Sequence, residues 1–249
     1  AAQELEQAKR GEAEKVEAEQ KIEQESQETA QKIAVVQQAL GDANGQKQAA
    51  SSRLRVLREM ERDYAGYQQA VKQVLLHARG NAGVRGGVAT LMRVPKRLER
   101  ATEAVLGGAL QNVVTTDEYI ARDMIAYLRQ NKLGRATFLP LSTIRGEALR
   151  DERVKGEYGY VGLASELVEY ERAYDGIFKN LLGRTVVVED LDCGITISRK
   201  FSNAFRIVTL DGQVLNRGGS MTGGSISRSA GILSRAGELR ELTARRGRR

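Results

Sequence analysis

The stretch RGGSMTGGS, residues 217–225, follows the run IVTLDGQVL, residues 207–215. These two stretches together decide the fold assignment. The Asp211-Gly212 step between two apolar segments predicts a β-hairpin, because the turn requires a residue with positive φ. The second strand of that hairpin leads directly into two glycine pairs, Gly218-Gly219 and Gly223-Gly224. Such small residues add little to a core, so the stretch is a phosphate loop, a linker, or a surface that another backbone approaches closely.

The three interpretations of the glycine pairs differ in what must surround them. A phosphate-binding P-loop needs Lys followed by Ser or Thr after its last glycine, whereas Gly224 is followed by Ser225-Ile226. A dinucleotide-binding fingerprint opens a βαβ unit, whereas this run follows a hairpin. A flexible linker stays open as an alternative. In the third interpretation the glycines lie at the end of an edge strand and let it approach the edge of a partner.

An internal repeat precedes the glycine pairs and covers residues 98–141 and 170–212. In each copy an amphipathic helix ends at Leu-Gly and a β-branched run follows. An aspartate, Asp117 or Asp190, then stands where it can cap a second helix, and an apolar strand closes the copy. The pattern predicts an α+β fold with two related α/β subdomains, each a small sheet covered by helices.

Long-helix composition flanks the repeat on the amino-terminal side. Residues 1–63 contain no aromatic residue and no proline, and a heptad with position a at Leu5 keeps 13 of 21 core positions apolar through Leu75. That pattern predicts a coiled coil, with a break or a loosening between Gly41 and Gly45. The segment ILSRAGELREL, residues 232–242, predicts a returning helix. We therefore expect a globular region that the chain enters from one long helix and leaves through another, in a piece of a longer protein.

Charge and composition limit the chemistry of the chain. Residues 1–30 carry nine Glu against four Lys or Arg, whereas residues 225–249 carry seven Arg against two Glu. A basic tail can attract nucleic acid, or it can be the solvated face of a helix. With one Cys and one His, neither an internal disulfide nor a His-rich metal site is expected. The sequence offers no catalytic constellation, and it has no apolar window long enough to predict a transmembrane helix.

The order of these motifs resembles the hinge of a bacterial structural maintenance of chromosomes (SMC) protein. The resemblance covers about residues 83–240 and rests on GVRGGVATLMRVPKRLERATEAVLGGALQNVV, NKLGRATFLPL, GLASELVEY, VVVEDLD, IVTLDGQVL and RGGSMTGGS, set between two coils. It implies a homodimerisation domain at the tip of a long antiparallel coiled coil. The implied division is an arm at 1–79, subdomain I at 80–160, subdomain II at 161–228 and a returning arm at 229–249.

The resemblance also implies where the sites lie. The family's glycine-rich motif lies at the dimer interface, which here implies Gly218, Gly219, Ser220, Thr222, Gly223 and Gly224. Hinges of this family bind DNA, single strands especially, through basic residues after the glycines and near the coil junction. Some relatives have a lysine cluster there, whereas this sequence has Arg228 alone. Contacts are therefore expected at Arg228, Arg217, Arg235, Arg199 and Lys200.

The resemblance further implies that this piece is not an enzyme and holds no cofactor or metal. The whole protein would be an ATPase that compacts and segregates chromosomes in the cytoplasm, associated with the nucleoid. Two other interpretations stay open. One is a small-ligand or nucleotide-binding α/β domain carried on a coiled coil, which a saturable thermal shift would reveal. The other is a DNA-binding module whose dimerisation is incidental.

Overall fold

A computed structural model describes residues 2–224 and 231–247 of the chain. The chain divides into two compact units, and the boundary lies between Arg55 and Val56. The first unit consists of helix α1 (Ala2–Arg62) as far as Arg55. The helix continues through Gly41 and Gly45, so the predicted break is wrong. A glycine costs a helix interior only about 1 kcal/mol, and strong helix formers lie on both sides of this segment.

The second unit opens with the last turns of α1 and a short helix, α2 (Gln69–His77). Val71 and Leu75 of α2, which fit the heptad, pack into a core with Met124 and Leu128. The prediction that one coiled-coil phase extends to Leu75 is therefore wrong. The apolar spacing of α2 instead reflects a short helix that buries one face against the globular unit.

The first repeat forms a three-stranded sheet in the order β1-β3-β4. Strand β1 is antiparallel to β3, and β3 is parallel to β4 with helix α4 as the crossover. The elements of this half are β1 (Val84–Gly87), β2 (Met92–Arg93), α3 (Glu99–Leu106), β3 (Val113–Thr115), α4 (Glu118–Gln130) and β4 (Phe138–Pro140).

The second repeat has the same plan and two extra strands. Strand β5 is antiparallel to β7, β7 is parallel to β8, and the sheet order is β10-β9-β8-β7-β5. Strands β1 and β5 each have a register shift, between Val84 and Gly86 in β1 and between Tyr160 and Gly162 in β5. The two halves are therefore alike from these strands onward, earlier than the repeat predicted from residues 98 and 170. The elements of this half are β5 (Tyr160–Leu163), β6 (Glu169–Tyr170), α5 (Asp175–Leu182), β7 (Thr185–Val188), α6 (Leu191–Lys200), β8 (Arg206–Thr209), β9 (Val214–Leu215) and β10 (Met221–Thr222).

The predicted helix caps are confirmed in both halves. The Asp117 carboxylate accepts from the backbone N–H groups of Tyr119 and Ile120, at 3.0 and 2.9 Å. The Asp190 carboxylate accepts from the N–H of Cys193 at 2.9 Å. These bonds satisfy N–H groups that have no partner within the helix, and they hold the pKa of each carboxyl below its usual range. Each aspartate therefore fixes the start of a crossover helix.

The two halves join through a strand pair and a shared core. Strands β2 and β6 are antiparallel, with Met92 opposite Tyr170. One apolar cluster takes residues from both halves, among them the buried Leu98 and Phe178. Leu233, near the start of the returning helix α7 (Ile232–Gly247), is buried in the same cluster. The first turn of α7 is therefore part of the globular core.

Candidate dimer interface

A tight turn joins β9 to β10 and contains the first glycine pair. Asn216 N–H donates to Ser220 O at 2.8 Å, and Gly219 N–H donates to Asn216 O at 2.9 Å. Gly218 and Gly219 have φ of +91° and +95°, a region that residues with a Cβ adopt only at a cost. The first glycine pair is therefore needed by the turn itself, whether or not a partner approaches.

Strand β10 lies within the glycine-rich stretch and forms the edge of the five-stranded sheet. Ser220 accepts from Asn216 of the β9 side, so the pairs Asn216–Ser220 and Val214–Thr222 are the hydrogen-bonded ones, and Met221, opposite Leu215, lies in a pair that is not hydrogen-bonded. Neighbouring residues of a strand alternate in this respect, so the N–H and C=O groups of Met221 point away from the sheet. The sequence predicted that the second strand of the hairpin, β9, is the edge strand. In the structure β10 follows β9 and is the edge strand instead.

Met221 is the residue of this edge that the sequence analysis missed. Its side chain is 53% exposed, although methionine is commonly buried. The signal was available, since Met221 is the single large apolar residue between two glycine pairs. A Cβ added at Gly218, before β10, or at Gly224, after it, would have no neighbour within 4 Å among the described residues. In the part of the chain that the structure describes, the site is a short, uncovered and partly apolar strand edge.

The predicted basic contacts fall in different places. Arg217 is exposed in the β9–β10 turn, and Arg199 and Lys200 are exposed in the last turn of α6. Gly218 N–H donates to Asn203 O at 3.4 Å, which holds the turn beside the residues that follow α6. Lys200 also forms an ion pair with Glu157 at 2.6 Å.

The other two predicted basic contacts lie away from this group. Arg235 projects from α7, and its guanidinium donates to Ala65 O at 2.8 Å. Arg228 lies outside the described residues. The DNA contacts of all five basic residues stay predictions.

The described residues offer no alternative chemistry at this edge. Cys193 lies buried beside Asp190, and a hydrogen bond with that carboxylate raises the pKa of the thiol. A raised pKa keeps the thiol protonated and unreactive. Within residues 2–224 and 231–247, no group of three or more His, Cys, Asp or Glu side chains could hold a metal ion. The chemistry of this region is therefore that of an exposed backbone edge.

Comparison with solved structures identifies the fold. The chain superposes on the crystal structure of an asymmetric dimer of the Geobacillus stearothermophilus SMC hinge domain with a TM-score of 0.76. The two are 42% identical, over 84% of this chain and 85% of that one. The chain belongs to the SMC hinge family. The Pyrococcus furiosus SMC hinge domain is also similar to this hinge, with a TM-score of 0.53 and 30% identity over 96% of that chain.

Sequence comparisons agree with this assignment. The model of the flexible hinge domain of SMC proteins matches residues 81–198. The chromosome partition protein Smc of Bacillus subtilis is 42% identical over 211 residues, and that of Halothermothrix orenii is 39% identical over 195 residues. The hinge spans 18% and 16% of the lengths of these two relatives. The family and the fold class that the sequence predicted are thus confirmed.

Proposed function

We propose that this hinge joins two copies of the chain by pairing the free edge of β10 with a strand of the partner. The observation that carries the proposal is the outward-facing backbone of Met221 on an exposed edge strand with glycines on both sides. Such an edge is a template for pairing with another chain. The dimer of the similar Geobacillus stearothermophilus hinge supports the proposal. Under it the six predicted residues, Gly218 to Ser220 and Thr222 to Gly224, frame the contact.

The edge strand β4 is the proposed partner of β10. Val113 N–H donates to Thr137 O at 2.9 Å, so Thr137 faces β3, and the next residue, Phe138, directs its backbone outward. Strand β8, the equivalent of β4, is covered by β9, whereas among the described residues no strand covers the outer edge of β4. In a dimer with twofold symmetry each β10 would meet the β4 of the partner, which gives two contacts and a closed assembly.

DNA binding is a second proposal and rests on charge. Arg217 and Arg199 are exposed, and the Asn203–Gly218 hydrogen bond holds their segments together beside the proposed dimer edge. Phosphate contacts of this kind need exposed cations on mobile side chains, and they bind single strands without reading sequence. Basic residues also stabilise the last turn of α6 through the helix dipole. Arg199 therefore has a structural role even without DNA.

The place of the hinge in a whole protein is likewise a proposal. The relatives named above are chromosome partition proteins, and we propose the same role here. The arms would be α1 and the part of α7 beyond its first turn, in a long antiparallel coil, and α2 would belong to the globular part with the two subdomains. ATPase domains would lie elsewhere in the protein, which would act at the nucleoid. No helix among the described residues is long and apolar enough to cross a membrane.

Sedimentation equilibrium of the 249-residue chain tests the dimer. We expect a dimer at micromolar concentration, and a variant with all four glycines replaced by bulkier residues should be monomeric with intact helices by circular dichroism. A parent chain that stays monomeric at 100 μM would refute the proposal. Dimers that survive the four replacements would identify the stretch as a linker. A saturable thermal shift with ATP or a dinucleotide would favour the ligand-binding alternative.

A further inference from the structure

Helix α1 ends in a turn that is built around Tyr64. Ala65 N–H donates to Met60 O at 2.8 Å, and Tyr64 N–H donates to Glu61 O at 3.1 Å. This pair of bonds is the Schellman motif, in which the left-handed residue is usually glycine. Here it is Tyr64, with φ of +49°, a conformation that disfavours a bulky side chain. The turn therefore needs contacts from elsewhere to hold its shape.

Two arginines from different elements supply those contacts. The guanidinium of Arg79, just after α2, donates to Arg62 O at 2.5 Å and lies 5.8 Å from the centre of the Tyr64 ring. The guanidinium of Arg235, from α7, donates to Ala65 O at 2.8 Å. Backbone carbonyls at a helix C-terminus carry partial negative charge, so cations stabilise them. Arg79 binds this end from the globular unit, and Arg235 binds it from the returning helix.

The chain makes room for the Arg235 contact. Gly66 has φ of +88°, and a Cβ at that position would collide with the Arg235 guanidinium. The turn thus has a glycine where the guanidinium lies against the backbone. Only a residue without a side chain combines this φ with such a close approach.

Apolar packing between α7 and the end of α1 is incomplete. A partly open pocket of about 60 Å³ lies between them, lined among others by Leu57, Met60, Ala236 and Leu239. Side chains beside a cavity lose part of their attractive contacts. By contrast Leu233, one turn earlier in α7, is fully packed in the core of the hinge. The joint between the helices therefore relies on the Arg235 hydrogen bond as well as on buried apolar side chains such as Leu57 and Leu239.

We infer that Arg235 is a latch that fastens the base of α7 to the end of α1 and that opens while the rest of the hinge stays folded. The latch comprises Arg235, the Ala65 carbonyl and Gly66. When it opens, Arg79 still holds the α1 end to the globular unit and Leu233 still anchors α7, so only the joint between the two helices loosens. The function of such a device is to let the bases of the outgoing and returning helices separate or close without disturbing β10.

Hydrogen–deuterium exchange of the full chain tests the latch, with Arg235→Ala as the main variant. Loss of one charge-assisted bond should raise exchange in peptides covering residues 57–68 and 234–242 by about tenfold to a hundredfold. Peptides covering β7 and β8 should not change. Arg235→Lys, which keeps one donor and the charge, should restore part of the protection. Arg240→Ala is the matched control, since Arg240 lies on the same helix but donates to Met92 O at 3.5 Å.

The outcomes separate a latch from a simple core contact. Faster exchange confined to the α1 end and α7 in Arg235→Ala, and absent from residues 57–68 in Arg240→Ala, supports the latch. Unchanged exchange at residues 57–68 in Arg235→Ala overturns it. A uniform rise across β7 and β8 also overturns it, because Arg235 would then stabilise the fold as a whole. An equal rise at residues 57–68 in both variants overturns the specific role of Arg235.

Discussion

Met221→Pro gives the sharpest test of the proposed dimer edge. Proline lacks a backbone N–H, and the N–H of Met221 points away from β9. Among the described residues the substitution therefore removes no hydrogen bond, and the fixed φ of proline is tolerated on an edge strand. The hinge should fold as before, while an outward donor of β10 is lost.

The expected loss of affinity follows from the number of contacts. A symmetric dimer would lose one backbone hydrogen bond at each of two edges, and each loss leaves a carbonyl of the partner without a donor. At about 1–3 kcal/mol for each unsatisfied group, the total is about 2–6 kcal/mol. This corresponds to a dissociation constant raised roughly 30-fold to 20,000-fold. A dimer with a dissociation constant of about 1 nM would then have one of about 30 nM to 20 μM, so sedimentation is run at several concentrations across this range.

Two further variants make the measurement specific. Met221→Ala keeps the N–H and removes only the 53% exposed side chain, so it should weaken the dimer much less than proline. Thr222→Pro removes a donor that faces β9, since Thr222 pairs with Val214, and should lower the thermal midpoint of the folded chain. Analytical ultracentrifugation with parallel thermal unfolding distinguishes the three. If Met221→Pro dimerises as tightly as Met221→Ala, the edge of β10 does not form the interface and the reasoning is refuted.

Three other predictions concern packing, alkaline pH and charge. Gly146→Ala places a Cβ against the backbone of Asn180 and should lower the thermal midpoint by about 2–10 °C, whereas Gly156→Ala, where a Cβ meets nothing within 4 Å, should be nearly neutral. Burial raises the pKa of Tyr67 to about 12, above its value of about 10 in the unfolded chain, so the parent should lose about 2–3 kcal/mol of unfolding free energy as pH rises from 10 to 12. Urea titrations should show that Tyr67→Phe lacks this loss, and an equal loss in both chains would contradict the assignment. Arg217→Ala should lower the salt slope of single-stranded DNA binding by about 0.7–1, measured by fluorescence anisotropy, and an unchanged slope would remove Arg217 from the contact.

The repeat was readable from the sequence because its signals are local. Leu-Gly ends two helices, Asp117 and Asp190 begin two others, and Asp211-Gly212 turns a hairpin in which Gly212 has φ of +90°. Each of these features depends on residues within one or two turns of chain, where propensity and capping act directly. The order of these motifs also indicated the SMC hinge family, because a series of motifs in one order is far more specific than any single motif.

The failures of sequence reasoning share a different cause. Val71 and Leu75 fit a heptad as well as they fit a short amphipathic helix, and the choice depended on Met124 and Leu128, about 50 residues away. The predicted DNA contact of Arg235 stays a prediction, but sequence reasoning missed its contact within the chain. Its contact with Ala65, 170 residues earlier, could not be inferred from its neighbours. Periodicity and charge do not specify which distant surface a side chain meets.

The sequence by itself determined the two helices and two parallel strands of each repeat copy, the caps of the crossover helices, the hairpin before the glycines and membership of the family. The tertiary structure alone decided that β10 is the outer strand of its sheet, that Met221 faces outward, and that Arg235 binds the end of α1. The physical reason is the range of the interactions. Backbone conformation is set by neighbouring residues, whereas an open edge or a latch exists only once strands and helices far apart in sequence have packed together.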